Sequence, residues 1–135
     1  MRYILDTNII IYARNARPEA VLRRFRQYRP GDLCISSITM AELEYGVCNS
    51  KDPIRNRLAL LTFLSGIDVI PFDAEAAKSY GEIRCDLKSK GQLIGAYDML
   101  IAAHARSLGY TLITNNTGEF QRVEGLLLEN WAVNR

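Results

Sequence analysis

Short apolar runs alternate with longer amphipathic segments along the whole chain. The apolar runs at positions 3–5, 33–36, 69–70 and 110–114 are rich in Ile, Leu, Val and Tyr, and polar residues or glycine interrupt the chain after them. Between these runs, apolar residues recur at helical spacing. This alternation predicts an α/β domain built on a mostly parallel sheet.

Capping signals place the helices between these strands. In chain order, the predicted helices are two segments before position 30, of which the second opens at Pro18, one from Thr39 towards Gly46, one capped by Asp52 and stopped by Gly66, one from Asp73 to about position 90, and one over 99–108. A loop is predicted over 91–97. The helix over 99–108 is apolar nearly all round, so we expect it to be buried between neighbouring elements.

Length and composition narrow the class of protein. The chain has 135 residues, of which 48% are hydrophobic, so we expect a single domain over 1–135 with a substantial core. Its three cysteines, Cys34, Cys48 and Cys85, follow no disulfide or zinc-ligand spacing, which favours a reducing cytoplasm. No apolar stretch approaches the ~18 residues of a membrane span, so no membrane contact is expected.

The net charge of +2 hides an uneven distribution. Positions 1–30 carry seven arginines against two acids, whereas positions 31–135 carry ten basic and thirteen acidic residues. In the second predicted helix, Arg23, Arg24 and Arg26 share a polar face. This pattern predicts that the arginines contact a polyanion. It also predicts that carboxylates collect at a separate place on the remaining chain.

Four acids follow the predicted strands or open the buried helix. Asp6 comes directly after the first strand, Glu42 lies in the first helical turn after the second, and Glu119 follows the fourth. Asp98 stands at the start of the apolar helix. Because ligands bind beyond the carboxyl ends of parallel strands, we expect all four side chains to meet at one edge of the sheet.

Each acid also has a purely structural interpretation. Asp6 could bond its own backbone in a turn, Glu42 could form a capping box with Thr39, Asp98 could be an N-cap, and Glu119 could be a solvated loop acid. His104 is interpreted as a packed helix residue rather than a general base, because it lies six positions after Asp98 within an apolar stretch.

A cluster of three or four carboxylates requires a compensating cation, since two such groups about 5 Å apart repel by roughly 3 kcal/mol at an effective dielectric constant of ~20. Oxygen ligands without His or Cys favour Mg²⁺ or Mn²⁺ over zinc. Such an ion can activate water and neutralise charge on a phosphodiester. The arginine-rich helix could then hold the backbone of a polynucleotide.

Four segments of the chain resemble the PIN-domain ribonucleases, and among them the VapC toxins of bacterial toxin–antitoxin pairs. The segments are 5–9 (LDTNI), 36–43 (SSITMAEL), 94–105 (IGAYDMLIAAHA) and 112–120 (LITNNTGEF). The resemblance implies a three-layer α/β/α sandwich with a small, mostly parallel sheet. It also implies an acidic site that binds one or two Mg²⁺ or Mn²⁺ ions.

The resemblance assigns roles to individual residues. Asp6, Glu42 and Asp98 match the three main acids of the family, both as catalytic residues and as metal ligands. Many relatives have Asp where Asn116 stands. A subset that resembles this chain has Asn-Asn-Thr followed by an acid before Phe, which here is Glu119, and this likeness assigns the fourth acidic role to Glu119. By the same likeness, supporting roles that orient the acids or hold waters fall to Thr7, Asn8, Thr114 and Asn116.

The function implied by the resemblance is that of an endoribonuclease toxin that cuts structured RNA, such as the anticodon stem-loop of initiator tRNA. The implied assembly is a homodimer that a VapB-like antitoxin inhibits in a heterooligomer, with promoter DNA contacted only through the antitoxin. Two alternatives remain open at this stage. One is a PIN nuclease of RNA maturation without an antitoxin, and the other is a non-catalytic binding module with the same fold.

Overall fold

The computed structural model describes residues 2–14 and 19–131. The strands are β1 (Tyr3–Leu5), β2 (Leu33–Ser36), β3 (Asp68–Ile70), β4 (Thr111–Ile113) and β5 (Leu127–Glu129). The helices are α1 (Thr7–Arg14), α2 (Glu19–Arg26), α3 (Ser37–Cys48), α4 (Pro53–Phe63), α5 (Ala74–Ser89), α6 (Ala96–Leu108) and the short α7 (Thr117–Phe120). A 3-10 turn over Pro30–Asp32 leads into β2.

The five strands form one parallel sheet in the order β3-β2-β1-β4-β5. The central strand β1 pairs with β2 on one side, where Tyr3 is level with Leu33, and with β4 on the other, where Leu5 is level with Ile113. Because all strands run in the same direction, their carboxyl ends meet at one edge of the sheet.

Helices cover both faces of the sheet, which makes three layers. Alternate strand residues enter the two cores: Leu5 and Ile113 pack with α1, α3 and α4, whereas Ile4 and Leu112 pack with α5, α6 and α7. This two-residue alternation between two apolar faces explains why the strands read as continuous apolar runs. The predicted three-layer fold with a parallel sheet is confirmed.

The buried position of α6 is also confirmed. Its residues Ile101, Ala102, Ala103 and Ala105 have no solvent exposure, because α5 packs along one side of the helix and the sheet lies beneath it. Burial of an almost wholly apolar helix between neighbours is what its sequence requires.

Two helix starts differ from the prediction. Helix α3 begins at Ser37, two residues before the predicted start at Thr39. Ser36 is the N-cap, because its hydroxyl accepts a hydrogen bond from the backbone N–H of Ile38. Thr39 therefore lies inside the helix, and the capping-box interpretation of Glu42 is wrong. Helix α6 begins at Ala96 with Gly95 at its N-cap.

The C-terminal part adds elements that the pattern did not predict. Helix α7 and strand β5 span only four and three residues, too short to produce a clear periodicity. Pro18, the predicted start of the second helix, lies outside the described residues. In the described ranges, no helix is both long enough and apolar enough to span a membrane.

Candidate active site

Asp6 lies at the carboxyl end of the central strand and is almost completely buried, with 3% exposure. Its Oδ1 accepts a hydrogen bond from the backbone N–H of Thr7 (2.7 Å), and its Oδ2 accepts one from the hydroxyl of Thr114 (2.8 Å). The turn interpretation accounts for the first bond only, since Thr114 is 108 positions away. Burial raises the pKa of Asp6, the two hydrogen bonds oppose this effect, and the nearby Glu42 adds to it.

Glu42 reaches the same edge of the sheet from helix α3, which follows β2. Its Oε1 accepts a hydrogen bond from the hydroxyl of Thr7 at 2.7 Å, and Thr7 thus contacts two of the four acids, one through its backbone and one through its side chain. The half-buried Glu42 is held by a side chain of the site instead of by the end of its own helix. The predicted supporting position of Thr7 agrees with this geometry.

Asp98 lies in the first turn of α6, three residues inside the N-cap, so the N-cap interpretation of this acid is wrong. The side chain is half-buried, and its pKa is raised from 3.8 to about 6. Burial is the main cause, followed by repulsion from Asp6, Glu119 and Glu42 and by a hydrogen bond with Glu119. The other three acids therefore all lie within electrostatic reach of Asp98.

Glu119 lies in α7 rather than in a loop, and a chain of polar contacts links it to Asp6. Its Oε2 accepts a hydrogen bond from the side-chain amide of Asn116 at 3.3 Å. The backbone N–H of Asn116 in turn bonds the Thr114 hydroxyl (3.0 Å), which donates to Asp6. The end of β4 therefore positions both an acid on the neighbouring strand and the short helix that carries the fourth acid.

Among the described residues, the four carboxyl groups have no cationic partner. Within residues 2–14 and 19–131, none of them forms an ion pair with Lys or Arg. No three Asp, Glu, His or Cys side chains in the described residues are already arranged to hold a metal ion. Mutual repulsion keeps uncompensated carboxylates apart, and a divalent cation would reverse this repulsion.

The remaining predicted residues are Asn8 and three arginines of α2. Asn8 is exposed in the first turn of α1, and no hydrogen bond among the described residues joins it to the four acids. Arg23 and Arg26 are exposed on α2. Arg24 instead forms a partly buried ion pair with Glu129, and its guanidinium group lies over the ring of Trp131. Arg24 therefore holds the last strand against α2 and is not a free phosphate contact.

His104 is a packed residue, as predicted. It is 1% exposed, its Nδ1 shares a 2.8 Å hydrogen bond with the Ser36 hydroxyl, and its ring meets the ring of Phe72 edge-on. Burial lowers the pKa of His104, which keeps the ring neutral near pH 7. Because Ser36 caps α3, this hydrogen bond ties the start of the Glu42 helix to the helix of Asp98.

Sequence reasoning missed one residue that shapes the site. The backbone carbonyl of Glu129 accepts a hydrogen bond from the N–H of Thr114 at 3.1 Å. Strand β5 thereby fixes the residue that holds Asp6. The only signal in the sequence is the leucine run at 126–128, which follows Gly125.

Known proteins share both this sequence pattern and this fold. The family model described as "PIN domain" matches residues 3–126. The tRNA(fMet)-specific endonuclease VapC of Shigella flexneri is 45% identical over 132 residues, which cover 98% of this chain and 99% of the relative. Ribonuclease VapC2 of Haemophilus influenzae is 46% identical with the same coverage of each chain.

Solved structures show the same similarity. A structure of VapBC2 from Rickettsia felis bound to a DNA fragment from their promoter contains a chain that superposes with a TM-score of 0.89 at 44% identity, covering 97% of this chain and 99% of that one. For VapBC-1 of nontypeable Haemophilus influenzae the TM-score is 0.90 at 38% identity, with 98% and 100% covered. The chain therefore belongs to the PIN-domain family and, within it, to the VapC ribonucleases.

Proposed function

We propose that this protein is the toxin of a toxin–antitoxin pair and acts as a divalent-metal-dependent endoribonuclease. The observation that carries the proposal is the cluster of Asp6, Glu42, Asp98 and Glu119, which has no cation within the described residues and in which the pKa of Asp98 rises to about 6. A site of this kind stabilises a bound cation, and its relatives in Shigella flexneri and Haemophilus influenzae are ribonucleases by name.

The four acids fit Mg²⁺ or Mn²⁺ by their chemistry, because all of their donors are carboxylate oxygens. Asp6 and Asp98 are the proposed direct ligands, and Glu42 and Glu119 complete the set. Each Asp6 oxygen accepts one hydrogen bond and keeps a second lone pair for a cation. When bound, the ion would supply Lewis-acid activation of water and neutralise charge on the phosphodiester.

The side chains of the protein contribute the positioning of the acids. Thr7 and Thr114 fix the orientation of Asp6, and Thr7 also fixes Glu42, so two of the acids hold their geometry before any substrate arrives. In the metal-free protein the pKa of Asp98 is about 6, and a bound cation would displace the proton that this carboxyl group carries below that pH. Supporting roles for Asn8 and Asn116 belong to the same proposal.

The proposed substrate is a structured RNA, with initiator tRNA as the first candidate. This choice is supported by two relatives that are tRNA(fMet)-specific endonucleases by name, from Shigella flexneri and Salmonella typhimurium, which are 45% and 40% identical to this chain. Arg23 and Arg26, exposed on α2, are proposed contacts for the RNA backbone. Because the proposed substrate is a tRNA, we also propose the cytoplasm as the location of the protein.

The proposed partner is a VapB-like antitoxin, and the proposed assembly is a homodimer that binds it in a heterooligomer. Solved VapBC complexes with 97% or more of this chain covered support this partner; the one from Rickettsia felis holds a DNA fragment from the promoter, and the one from Salmonella typhimurium is bound to DNA. A basic side chain of the antitoxin would neutralise the four acids for the same reason that a divalent cation would. Contact with promoter DNA is proposed through the antitoxin only.

The decisive experiment incubates the purified protein with initiator tRNA and maps the new RNA ends by sequencing. Cleavage should require Mg²⁺ or Mn²⁺, disappear in excess EDTA, and be abolished by Asp98→Asn, which keeps the size of the side chain. A variant with Asp86→Asn, the same change at an exposed ion pair of α5, should cleave normally. Full activity of Asp98→Asn, or unchanged cleavage in EDTA, would refute the metal mechanism.

A further inference from the structure

A pocket of about 320 Å³ lies directly beside the acid cluster, and none of the roles above uses it. Helix α1 forms one wall with Thr7 and Ile11, and helix α3 forms another with Glu42 and Gly46. The turn after α3 and the start of α4 close the rest. Because Thr7 and Glu42 belong both to this pocket and to the acid cluster, a molecule bound here extends to the reaction site.

The pocket combines apolar walls with one oriented amide. Leu43 and Val47 line it from the buried side of α3, and Ile11 is 39% exposed at its rim. The Asn56 amide nitrogen donates a 2.9 Å hydrogen bond to the Ser50 hydroxyl, which itself donates to the carbonyl of Val47 at 2.6 Å. This bond fixes the orientation of the amide.

The Asn56 amide keeps free hydrogen-bonding capacity. Among the described residues, the bond to Ser50 is the only side-chain hydrogen bond of Asn56, so one amide hydrogen and the carbonyl oxygen remain available. An adjacent donor and acceptor between apolar walls match the polar edge and the flat faces of a nucleobase. The volume is at the lower end of the range for small-molecule pockets, about 300–1,000 Å³, which suits a single ring system.

The lining of the pocket suits an uncharged group. Glu42 is the only charged residue among those that line it, and the part near Asn56 and Ser50 offers hydrogen bonds without a charge to compensate. The bases of unpaired nucleotides are the parts of RNA that proteins read by hydrogen bonding.

We propose that this pocket binds one unpaired nucleobase next to the phosphodiester that is cleaved, and that Asn56 determines which base is accepted. The inference rests on the proposed ribonuclease function and adds a substrate subsite to it. It assigns part of the choice of RNA to a position outside the four acids.

Gly46 offers a direct test because it lines the pocket without filling it. A Cβ atom added at Gly46 would meet nothing within 4 Å, and the same holds for Gly81 in α5, outside the pocket. Gly46→Leu should therefore fill the pocket without disturbing the fold, and Gly81→Leu is the matched control on another helix. Both variants replace an exposed helical glycine, so their intrinsic effect on helix stability should be similar.

The readouts are KM and kcat for cleavage of a short RNA stem-loop, Mn²⁺ binding by calorimetry, and the melting temperature. For Gly46→Leu, KM should rise at least about tenfold, as expected for the loss of one base contact, with Mn²⁺ affinity unchanged. Gly81→Leu should stay within about twofold of the wild type. Asn56→Leu, which keeps the size of the side chain, should lose the preference among four substrates that differ only in the nucleotide beside the cleavage site.

Three results would overturn the subsite. They are a wild-type KM for Gly46→Leu, an unchanged nucleotide preference for Asn56→Leu, and a Gly46→Leu variant that loses antitoxin affinity but cleaves RNA normally, which would assign the pocket to the protein partner. If the wild-type protein itself fails to cleave RNA with Mg²⁺ or Mn²⁺, the proposed function fails along with the subsite. Wild-type cleavage together with any of the three results refutes the subsite alone.

Discussion

Replacing Asp98 by Asn should stabilise the metal-free protein while it destroys activity. A carboxyl group with a pKa of about 6 in the folded chain and 3.8 in the unfolded chain destabilises the folded state by about 3 kcal/mol at neutral pH, since one pKa unit corresponds to about 1.4 kcal/mol. Solvent screens the half-buried side chain, so we expect a gain of about 1 to 2 kcal/mol from Asp98→Asn.

The pH dependence of this gain has a definite sign. Because the folded-state pKa is the higher one, ionising Asp98 costs the folded protein free energy only above the unfolded pKa of 3.8. This cost reaches its full value once the pH exceeds about 6. Asp98→Asn should therefore raise the melting temperature by roughly 3–8 °C at pH 8. Near pH 4 most of the gain should disappear, because Asp98 is then protonated in the folded protein and close to half protonated in the unfolded chain.

The assay is thermal unfolding followed by circular dichroism, with EDTA present, at pH 4 and pH 8. Asp86→Asn is the control, because it makes the same chemical change at an acid that pairs with Lys90, and it should give no gain. Saturating Mn²⁺ should reverse the order of stability, since a cation that binds only the folded wild type stabilises it by mass action. A melting temperature for Asp98→Asn at or below the wild-type value at pH 8 in EDTA would refute the electrostatic argument.

Three further predictions follow from the same contacts. Mn²⁺ affinity should rise between pH 5 and pH 7, because the bound ion must displace the proton of Asp98, and calorimetry in two buffers should detect that proton; a flat affinity profile would exclude the displacement. Glu119→Gln should lower kcat less than Asp6→Asn, since only Asp6 is fixed by two short hydrogen bonds, and equal losses in a steady-state assay would contradict this ranking. Ser36→Ala should lower the free energy of unfolding in urea by about 1–3 kcal/mol, because it removes both an N-cap and the partner of His104; a loss below about 0.5 kcal/mol would show that neither bond matters for stability.

The sequence was informative about the acids because their positions follow from local rules. Asp6 directly follows an apolar run, and parallel strands bring such residues to one edge whatever their distance along the chain. The bond between Thr114 and Asp6 was not predictable in this way. It requires β4 to lie beside β1, which depends on packing across 108 positions.

Long-range pairing also explains the failure of the charge pattern at Arg24. A run of arginines on one helix face predicts a polyanion contact, yet the partner of Arg24 is Glu129, 105 positions later. The two residues are too far apart for a local sequence pattern to include both of them. The short strand β5 that carries Glu129 was missed for a related reason, since three residues give too little alternation to detect.

The order of strands in the sheet determines when the acid cluster can assemble during synthesis of the chain. Asp6 leaves the ribosome early, but its hydrogen bond from Thr114 and the β5 carbonyl that holds Thr114 come from the last part of the chain. The ribosome must therefore translate almost the whole message before the acids can assemble. A nascent chain therefore lacks the complete acid cluster of the proposed nuclease until its synthesis is almost finished.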